Sequence, residues 1–446
     1  MYNGVFTFEF DCREVLKMKF QIPKKSIVDT MDRMFEVATK GIRADFKLAS
    51  RVKIEVKGSS VLFSATNGHL NAIMEVEAQS VESEGSAIVD AGVGREILRT
   101  LGGRDSDDHI IEVEEKDQSL RLKDVNTTGR AKTAKLSTLS QDQPFAIKVK
   151  KGSSYTLPAS EVSSSLFATW KYRHPEQYEP KYQTMCIHFL EKETRYVCGD
   201  GMRFAVLSRK NASDLNVNDK DAGDKWILPA DQAAIIANAI SFGDTNVTLT
   251  FPDAKQCFVE VPDAGLTLHL KGIPEIDYPK YDNHAYRFDA AKVVIDVARS
   301  ELLDALALVK SVRDKDAEKQ ENAFHCFDFH ASDGAICLEV PKGKYQCKVE
   351  CDAEIYKVSE DSFDSCYSWL FLNELAAASG HEYIRFFANS PEGIMLAQPM
   401  DLVAKDGDKT ETDDRVDADC PAMVENSNEP DIIFFFSAAV EEEDEE

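Results

Sequence analysis

The sequence predicts an α+β protein in which one strand-and-helix unit is written three times. Three observations point there. Many short segments alternate apolar and polar residues with a period of two, other segments carry a helical apolar stripe, and the two kinds recur in one order at a spacing of about 140 residues. At 446 residues the chain has room for roughly two to four domains, each with its own core.

The first recurring element is a short strand followed, after one or two polar positions, by an apolar helical stripe. It occurs as MKFQIPKKSIVDTM from Met18, SYTLPASEVSSSLF from Ser154 and KVVIDVARSELLDAL from Lys292, with Phe20, Tyr155 and Ile295 at matching strand positions. The second element again pairs a strand with a helix. It occurs as SAIVDAGVGREILRTL, DKWILPADQAAIIANAI and YSWLFLNELAAASG, with Val89, Leu228 and Leu370 as the matching strand positions. Between the elements lie short strands separated by Gly, Asn and Asp turns, as in KIEVKGSSVLFSATNG from Lys53. Two such halves pack both helices on one side of paired antiparallel sheets. The domains then run over 18–150, 151–286 and 287–446, preceded by an extension, 1–17. Within the third, residues 401–431 hold eleven acids and three bases and read as a loop between two strands. The last strand, IIFFFSAAV, follows it, and then an acidic tail, EEEDEE, at 441–446.

Composition narrows the function classes. Hydrophobic residues make up 43% and charged residues 29%, ordinary values for a soluble globular protein. No apolar run reaches the length of a membrane span, and MYNGVFTFEFDCREVLKMKF carries acids before any apolar stretch, unlike a secretory signal. The expectation is a cytoplasmic protein without membrane contact. The ten cysteines are scattered without a CxxC pair and read as small buried apolar residues. The net charge of −26 excludes indiscriminate coating of nucleic acid. More than half of it sits in the acidic loop and tail, so bases converging on one surface can still meet phosphates. None of the nine histidines stands at HExxH or HxH spacing, and GxSxG, Walker A and GxGxxG patterns are absent. GDGMRF at Gly199 lacks the lysine and the glycine spacing of a phosphate loop and reads as a tight turn. The acidic loop lacks the Asp, Gly and Glu positions of a calcium loop. The sequence therefore predicts no enzyme, no cofactor and no metal site.

Four segments in order, MKFQIPKKSIVDTM, CGDGMRFAV from Cys198, YPKY at Tyr278–Tyr281 after LKGIPEID, and the terminal IFFFSAAV, resemble the bacterial beta sliding clamp family. The resemblance spans nearly all of residues 18–440. It implies three similar clamp domains per chain, each with paired antiparallel sheets outside and two helices inside, closed into a ring by a head-to-tail homodimer. The implied function is that of a DNA polymerase III beta subunit: a sliding clamp that encircles duplex DNA, without regard to sequence, and confers processivity on a replicative DNA polymerase. The implied partners are double-stranded DNA, the DNA polymerase, a clamp loader and a second copy of the chain. The alternative is a clamp-fold interaction scaffold or decoy that does not encircle DNA, which the acidic segments motivate.

The resemblance also assigns residues. Bases near the inferred helices are candidates for lining the hole: Lys24, Lys25, Arg33, Lys40 and Arg43 around the first helix, Arg95 and Arg99 in the second, Lys171, Arg173 and Lys181 further on, and Lys310 and Arg313 near the fifth. Lys181, Tyr182 and Gln183 align with a basic-aromatic DNA-contact segment of the family. A partner-peptide pocket between the second and third domains would be formed by Thr184, Gly199, Gly201, Met202, Arg203, Phe204, Pro279, Asn283, His284, Ile394, Phe434, Phe436 and Ala438. Phe204, Phe434 and Phe436 would supply apolar walls, the last two sharing a strand face by alternation, and Arg203 would orient the peptide. Met202 stands where the family has His, Gly199 where it has Thr, and SAAV at Ser437–Val440 where it has Pro-Met-Arg-Leu. The pocket's place is expected to persist and its peptide preference to differ.

Overall fold

Strand ends and helix starts coincide in this chain. Proline closes three strands, at Pro23, Pro158 and Pro229, and the next residue opens a helix. Lacking an N–H, proline ends the ladder without leaving an unmet donor. Asp90 works differently: its Oδ1 accepts from the N–H of Val93 at 2.8 Å, a side-chain cap for the helix that follows. The computed structural model describes residues 18–43, 46, 49–103, 107–126, 132–139, 147–173, 179–220, 222–281, 291–312, 326–332, 334–340, 346–357, 363–378, 381–388, 394–401 and 431–437. Asn283, His284, Arg313, Ala438, the 1–17 extension, the acidic tail and most of the acidic loop lie outside these.

The elements follow one another three times in nearly the same series. The first runs β1 (Lys19–Pro23), α1 (Lys24–Thr39), β2 (Arg51–Lys57), β3 (Ser60–Thr66), β4 (Leu70–Glu77), β5 (Ser80–Ser83), β6 (Gly85–Asp90), α2 (Ala91–Thr100), β7 (Ile110–Lys116), β8 (Ser119–Asp124) and β9 (Thr133–Ser137). The second runs β10 (Ser153–Pro158), α3 (Ala159–Thr169), β11 (Thr184–Phe189), β12 (Glu193–Gly199), β13 (Arg203–Lys210), β14 (Asp224–Pro229), α4 (Ala230–Ala239), β15 (Asn246–Asp253), β16 (Gln256–Val261) and β17 (Leu266–Lys271). The third runs β18 (Val293–Ala298), α5 (Arg299–Val312), β19 (Cys326–Ser332), β20 (Ala335–Val340), β21 (Cys347–Lys357), β22 (Phe363–Ser368), α6 (Trp369–Ala378), β23 (Tyr383–Ala388), β24 (Ile394–Met400) and β25 (Asp431–Ser437). Each series is a strand, a helix and three strands, then again a strand, a helix and three strands, with β5 the one addition. The mixed α+β class expected from the sequence is the fold observed.

Phe20, Tyr155 and Ile295 occupy equivalent places in β1, β10 and β18, and each is 1% exposed. In the second element Val89 and Leu228 are buried in β6 and β14, but Leu370 lies one residue into α6. The strand position that matches them is Tyr367, buried in β22. The run YSWLFL is apolar on every side, so periodicity alone does not separate its strand from its helix.

The chain forms two compact units, Met1–Ser164 with Asp231–Pro274, and Ser165–Ala230 with Glu275–Glu446. The first unit holds a five-stranded sheet, β5-β1-β7-β8-β9, and an eight-stranded sheet, β10-β15-β16-β17-β4-β3-β2-β6. The second holds one sheet of twelve strands, β14-β11-β12-β13-β25-β24-β23-β18-β21-β20-β19-β22. Among the described residues the strand pairs are antiparallel. The sheets do not stop where a series ends. β4 of the first series pairs with β17 of the second, Leu70 opposite Leu270 and Met74 opposite Leu266. β13 of the second pairs with β25 of the third, Arg203 opposite Phe436 and Ser208 opposite Asp431.

Alternation does the packing. In β2, Val52, Ile54 and Val56 point inward while Arg51, Lys53 and Glu55 point outward. In α1 the buried stripe is Ile27, Thr30, Met31, Met34, Val37 and Ala38, at helical spacing. Within each series the two helices are tied by side chains. The Asp32 carboxylate accepts from Arg95 and Arg99, the Ser163 hydroxyl donates to the Ala237 carbonyl, and the Trp369 indole N–H donates to the Leu306 carbonyl. Gln232 of α4 donates to the Gly41 carbonyl and accepts from Asn67, both residues of the first series.

One buried histidine gives the first unit a pH-dependent stability. His269 on β17 is 7% exposed and lies flat on the Phe258 ring opposite it, centroids 4.1 Å apart. Burial, then Lys271 and Lys150, hold its imidazole down to about 4. The unfolded chain, at about 6.5, binds a proton that the folded chain refuses, so stability is full above pH ~6.5 and falls as pH drops toward 4. Replacing His269 by Gln should remove about 2–3 kcal/mol of that acid-side loss. Urea unfolding of both proteins at pH 7 and 4.5 checks this: equal acid losses would refute it.

Candidate functional site

The hairpin joining β12 to β13 is built around Asp200. Its Oδ1 accepts from the N–H groups of Met202 and Arg203, both at 3.0 Å, closing the turn. Gly201 sits at φ +97°, where a side chain is strained, and a Cβ there would come within 2.9 Å of the Tyr182 ring. Gly199 faces Phe204 across the hairpin. A Cβ on it would fall 2.4 Å from the Phe204 ring and 2.5 Å from the Arg203 carbonyl. Glycine at both places lets the aromatic side chains close over the backbone.

Arg203 is held from every side. Its Nε donates to Asp200 Oδ2 at 3.0 Å, and Nη1 donates to Glu374 on α6. The guanidinium lies over the Phe371 ring, 4.3 Å from its centroid, and 5.3 Å from that of Tyr172. The Arg203 side chain is 11% exposed and that of Glu374 32%. Beside this group, Met202 is exposed and Phe204 half-buried. Phe204 packs with Tyr278 and Tyr356 against a buried cluster that includes Cys186, Val197, Tyr281 and Leu396. The segment Tyr278–Tyr281 is pinned at both ends. The Tyr278 hydroxyl donates to the Val197 carbonyl at 3.0 Å. The Tyr281 hydroxyl meets His188 Nδ1 at 2.5 Å. His188 Nε2 lies 2.7 Å from the Ala222 carbonyl, which can only accept, so in the neutral ring Nδ1 accepts the tyrosine proton.

The expected pocket residues thus fall into three groups. Gly199, Gly201, Met202, Arg203 and Phe204 share one hairpin, and Pro279 lies in the pinned segment whose tyrosines reach β11 and β12. Thr184 is 2% exposed, its hydroxyl turned back to the Lys181 carbonyl at 2.8 Å, so it shapes the entry to β11 from within. Backbone register alone places the rest: Phe436 opposite Arg203, Phe434 opposite Ala205, and Ile394 opposite Ser437. Asn283, His284 and Ala438 lie outside the described residues. Sequence reading missed Glu374, Phe371 and Tyr172, which complete the surroundings of Arg203. Glu374 stands 171 residues from Arg203 and has no local signal.

Several bases expected to face a duplex are engaged within the protein. Lys24 is 3% exposed and donates to the Gly103 carbonyl, an anchor at the start of α1. This corrects its expected place on the surface: the first helical residue after Pro23 turns into the fold. Arg33 donates to the carbonyls of Asn238, Ala239 and Ser241 at the end of α4 and lies 3.7 Å over Phe242. It caps a helix, where a cation is favoured. Arg95 and Arg99 share Asp32, and Lys40 pairs with Glu36. Lys25 and Arg43 are exposed. Lys171 and Arg173 lie in and just after the turn Trp170–Tyr172, over the rings of Tyr172 and Trp170. Lys181 lies over Tyr182 in the turn Pro180–Gln183, next to Gln183, and pairs with Glu179. Lys310 of α5 lies over Trp369, and Arg313 is outside the described residues. α3, α4 and α6 contain no lysine or arginine.

The described residues contain no cluster of His, Cys, Asp and Glu that could hold a metal ion. None of their helices is long and apolar enough to cross a membrane. Cys186, Cys198 and Cys257 are wholly buried, and burial pushes the Cys198 thiol up to about 12. They are packing residues rather than nucleophiles.

No family model matches the chain, and no curated protein matches it by sequence. Solved structures do match its fold. The DNA polymerase III subunit beta of Pseudomonas aeruginosa superposes with a TM-score of 0.73 at 15% identity, over 95% of this chain and 100% of that one. A DnaN sliding clamp from the same organism, bound to griselimycin, gives 0.73 and 15% over 95% and 99%. The DNA polymerase III beta subunit of Thermotoga maritima gives 0.75 at 13% identity over 95% and 99%. The chain has the sliding-clamp fold.

Proposed function

We propose that this chain is a DNA sliding clamp, two copies of which close head to tail around duplex DNA and tether a replicative polymerase to it. The observation that carries the reading is the way the three series join. Each join uses the third strand after a series' first helix and the last strand of the series that follows: β4 with β17, then β13 with β25. Continued once more, the rule asks β21 of the third series to take a β9. Among the described residues β9 is a sheet edge. β21 pairs with β20 along Cys347–Asp352 and with β18 only from Ala353 onward. The far side of Cys347–Asp352 therefore has no neighbour among the described residues. A second copy supplies the missing β9, and reciprocal pairing of β9 with β21 closes a two-fold ring.

On this reading the three series are three clamp domains, over 18–150, 151–286 and 287–446. The role is topological and needs no catalytic group or cofactor. The hairpin of Gly199–Phe204, with Pro279 and the β25 end, supports a pocket for peptides of the polymerase and of a clamp loader. The bases at Lys25, Arg43, Lys171, Arg173 and Lys181 support loose phosphate contact without base reading.

A ring is tested by topology. Protein loaded on nicked circular DNA should survive raised salt and leave when the circle is cut; equal retention on linear and circular DNA would refute encirclement. A second reading, a clamp-fold scaffold that does not grip DNA, is favoured by the internal engagement of Arg33, Arg95 and Arg99. Asp32→Asn separates the two, because it releases Arg95 and Arg99 together. On the clamp reading DNA retention becomes more salt-dependent, the log–log slope steepening by about one to two. No retention on circles for either protein favours the scaffold.

A further inference from the structure

Strand pairing matches the three series residue by residue, and the match sets a register for the join between copies. Phe20, Tyr155 and Ile295, equivalent in β1, β10 and β18, stand opposite Val113, Leu249 and Phe386. Those stand opposite Leu122, Val259 and Ala397. These in turn face Ala134 on β9, Leu268 on β17 and Phe434 on β25. Ala134, Leu268 and Phe434 therefore hold one position in the three series.

The receiving strands are matched in the same way. Ala87, Trp226 and Ser365 each lie two residues before the equivalent Val89, Leu228 and Tyr367, and they face Ile54, Ile187 and Phe329. Pairing leads on to Phe63, Tyr196 and Leu338, and from there to Met74, Leu207 and Val349. Two residues before these stand Ala72, Ala205 and Cys347. Both joins within the chain use this position: Leu268 faces Ala72, and Phe434 faces Ala205. The third instance of the same pair is Ala134 with Cys347.

Burial agrees with that register. On β9, Ala134 shares a face with the buried Leu136, while Thr133 and Lys135 are exposed. On β21, Cys347 shares a face with the buried Cys351, while Lys348 and Glu350 are exposed. Inward residues thus meet inward residues, and a slip of one residue would set Lys135 against the core side of β21.

We propose that two copies pair in this one register, Cys347 of each opposite the partner's Ala134 and Lys348 opposite the partner's Thr133. The inference rests on the ring reading above and deepens it by naming the residues that meet at the seam. Directly opposite residues of an antiparallel pair have Cα atoms about 4.5–5.5 Å apart, within the roughly 4.4–6.8 Å that a disulfide spans, while diagonal neighbours lie at about 7–8 Å. A disulfide between copies therefore reads the register.

Ala134→Cys in the full chain supplies the second thiol. Oxidised under native conditions and run on a denaturing gel without reductant, A134C should shift from the monomer to the dimer band, and the unaltered protein should not. Adding Cys347→Ser should abolish the shift, and adding Cys351→Ser should leave it. Thr133→Cys combined with Lys348→Cys changes only exposed positions and should shift as well. Adjacent pairs alternate between the two antiparallel geometries, so both are sampled. Sedimentation of the reduced proteins gives the state of association. If they are monomers, the ring reading falls and this inference with it. If they are dimers but neither A134C nor the T133C/K348C protein shifts, or if the A134C link runs through Cys351, the register alone is overturned.

Discussion

Arg385→Ala is expected to destabilise the second unit by about 3–5 kcal/mol. Arg385 is fully buried on β23, directly opposite Asp296 on β18, and the two are joined by Nε–Oδ1 and Nη2–Oδ2 bonds of 2.7 Å each. Burial pushes the Asp296 carboxyl up, and the two bonds to Arg385 oppose that push. Remove the arginine and the carboxylate stays buried beside Glu354, which pushes its pKa up, with a Tyr356 hydrogen bond left to oppose that. Its pKa then rises further, so the folded variant binds a proton that the unfolded chain does not. The deficit should accordingly be smaller at pH 5 than at pH 7. Asp296→Leu combined with Arg385→Met should recover most of the loss, since a well-packed apolar pair replaces a buried ion pair at little or no penalty. Denaturant unfolding of the three proteins at both pH values decides it. A single-variant loss below about 1 kcal/mol would mean the pair carries no structural weight.

Gly199→Ala should damage the pocket hairpin through one methyl group. The added Cβ would meet the Phe204 ring at 2.4 Å and the Arg203 carbonyl at 2.5 Å, and the second of these is backbone that cannot swing aside. Either β13 shifts, which loosens Arg203 from Asp200 and Glu374, or Phe204 leaves its place on the buried cluster. The expected penalty is about 1–3 kcal/mol, as for overpacking, with peptide binding reduced at least tenfold. Gly243→Ala is the control, because a Cβ there meets nothing within 4 Å. Equal peptide affinity in the Gly199 variant would remove the hairpin from the proposed pocket.

How much of this was legible in the sequence follows from the range of each signal. The strand-and-helix series could be read because period-two and helical patterns are local, and Phe20, Tyr155 and Ile295 mark equivalent buried places. Leu370 was set in the wrong element because an all-apolar run has no period to read. The pairing of β4 with β17 was out of reach, since register between distant strands leaves no trace in either alone. Arg385 and Asp296 did leave one: each is the single charged residue of an apolar strand, YIRFFA and VVIDVA, and opposite charges so placed tend to meet. For the basic residues, type alone does not say which cations are engaged within the fold. Their types suggest phosphate contact, while Lys24 and Arg33 spend their donors on the carbonyls of Gly103 and of Asn238, Ala239 and Ser241.

The strand sharing at β4 and β17 separates two kinds of continuity. Along the backbone, β9 connects to β10 through residues 138–152, of which 147–152 have no regular structure. Through the sheet, the first series connects to the second by five facing residue pairs, from Leu266 opposite Met74 to Leu270 opposite Leu70. The peptide link is therefore mechanically redundant: a nick between Lys148 and Lys151 severs the polypeptide but none of the ladder that holds the pieces in register.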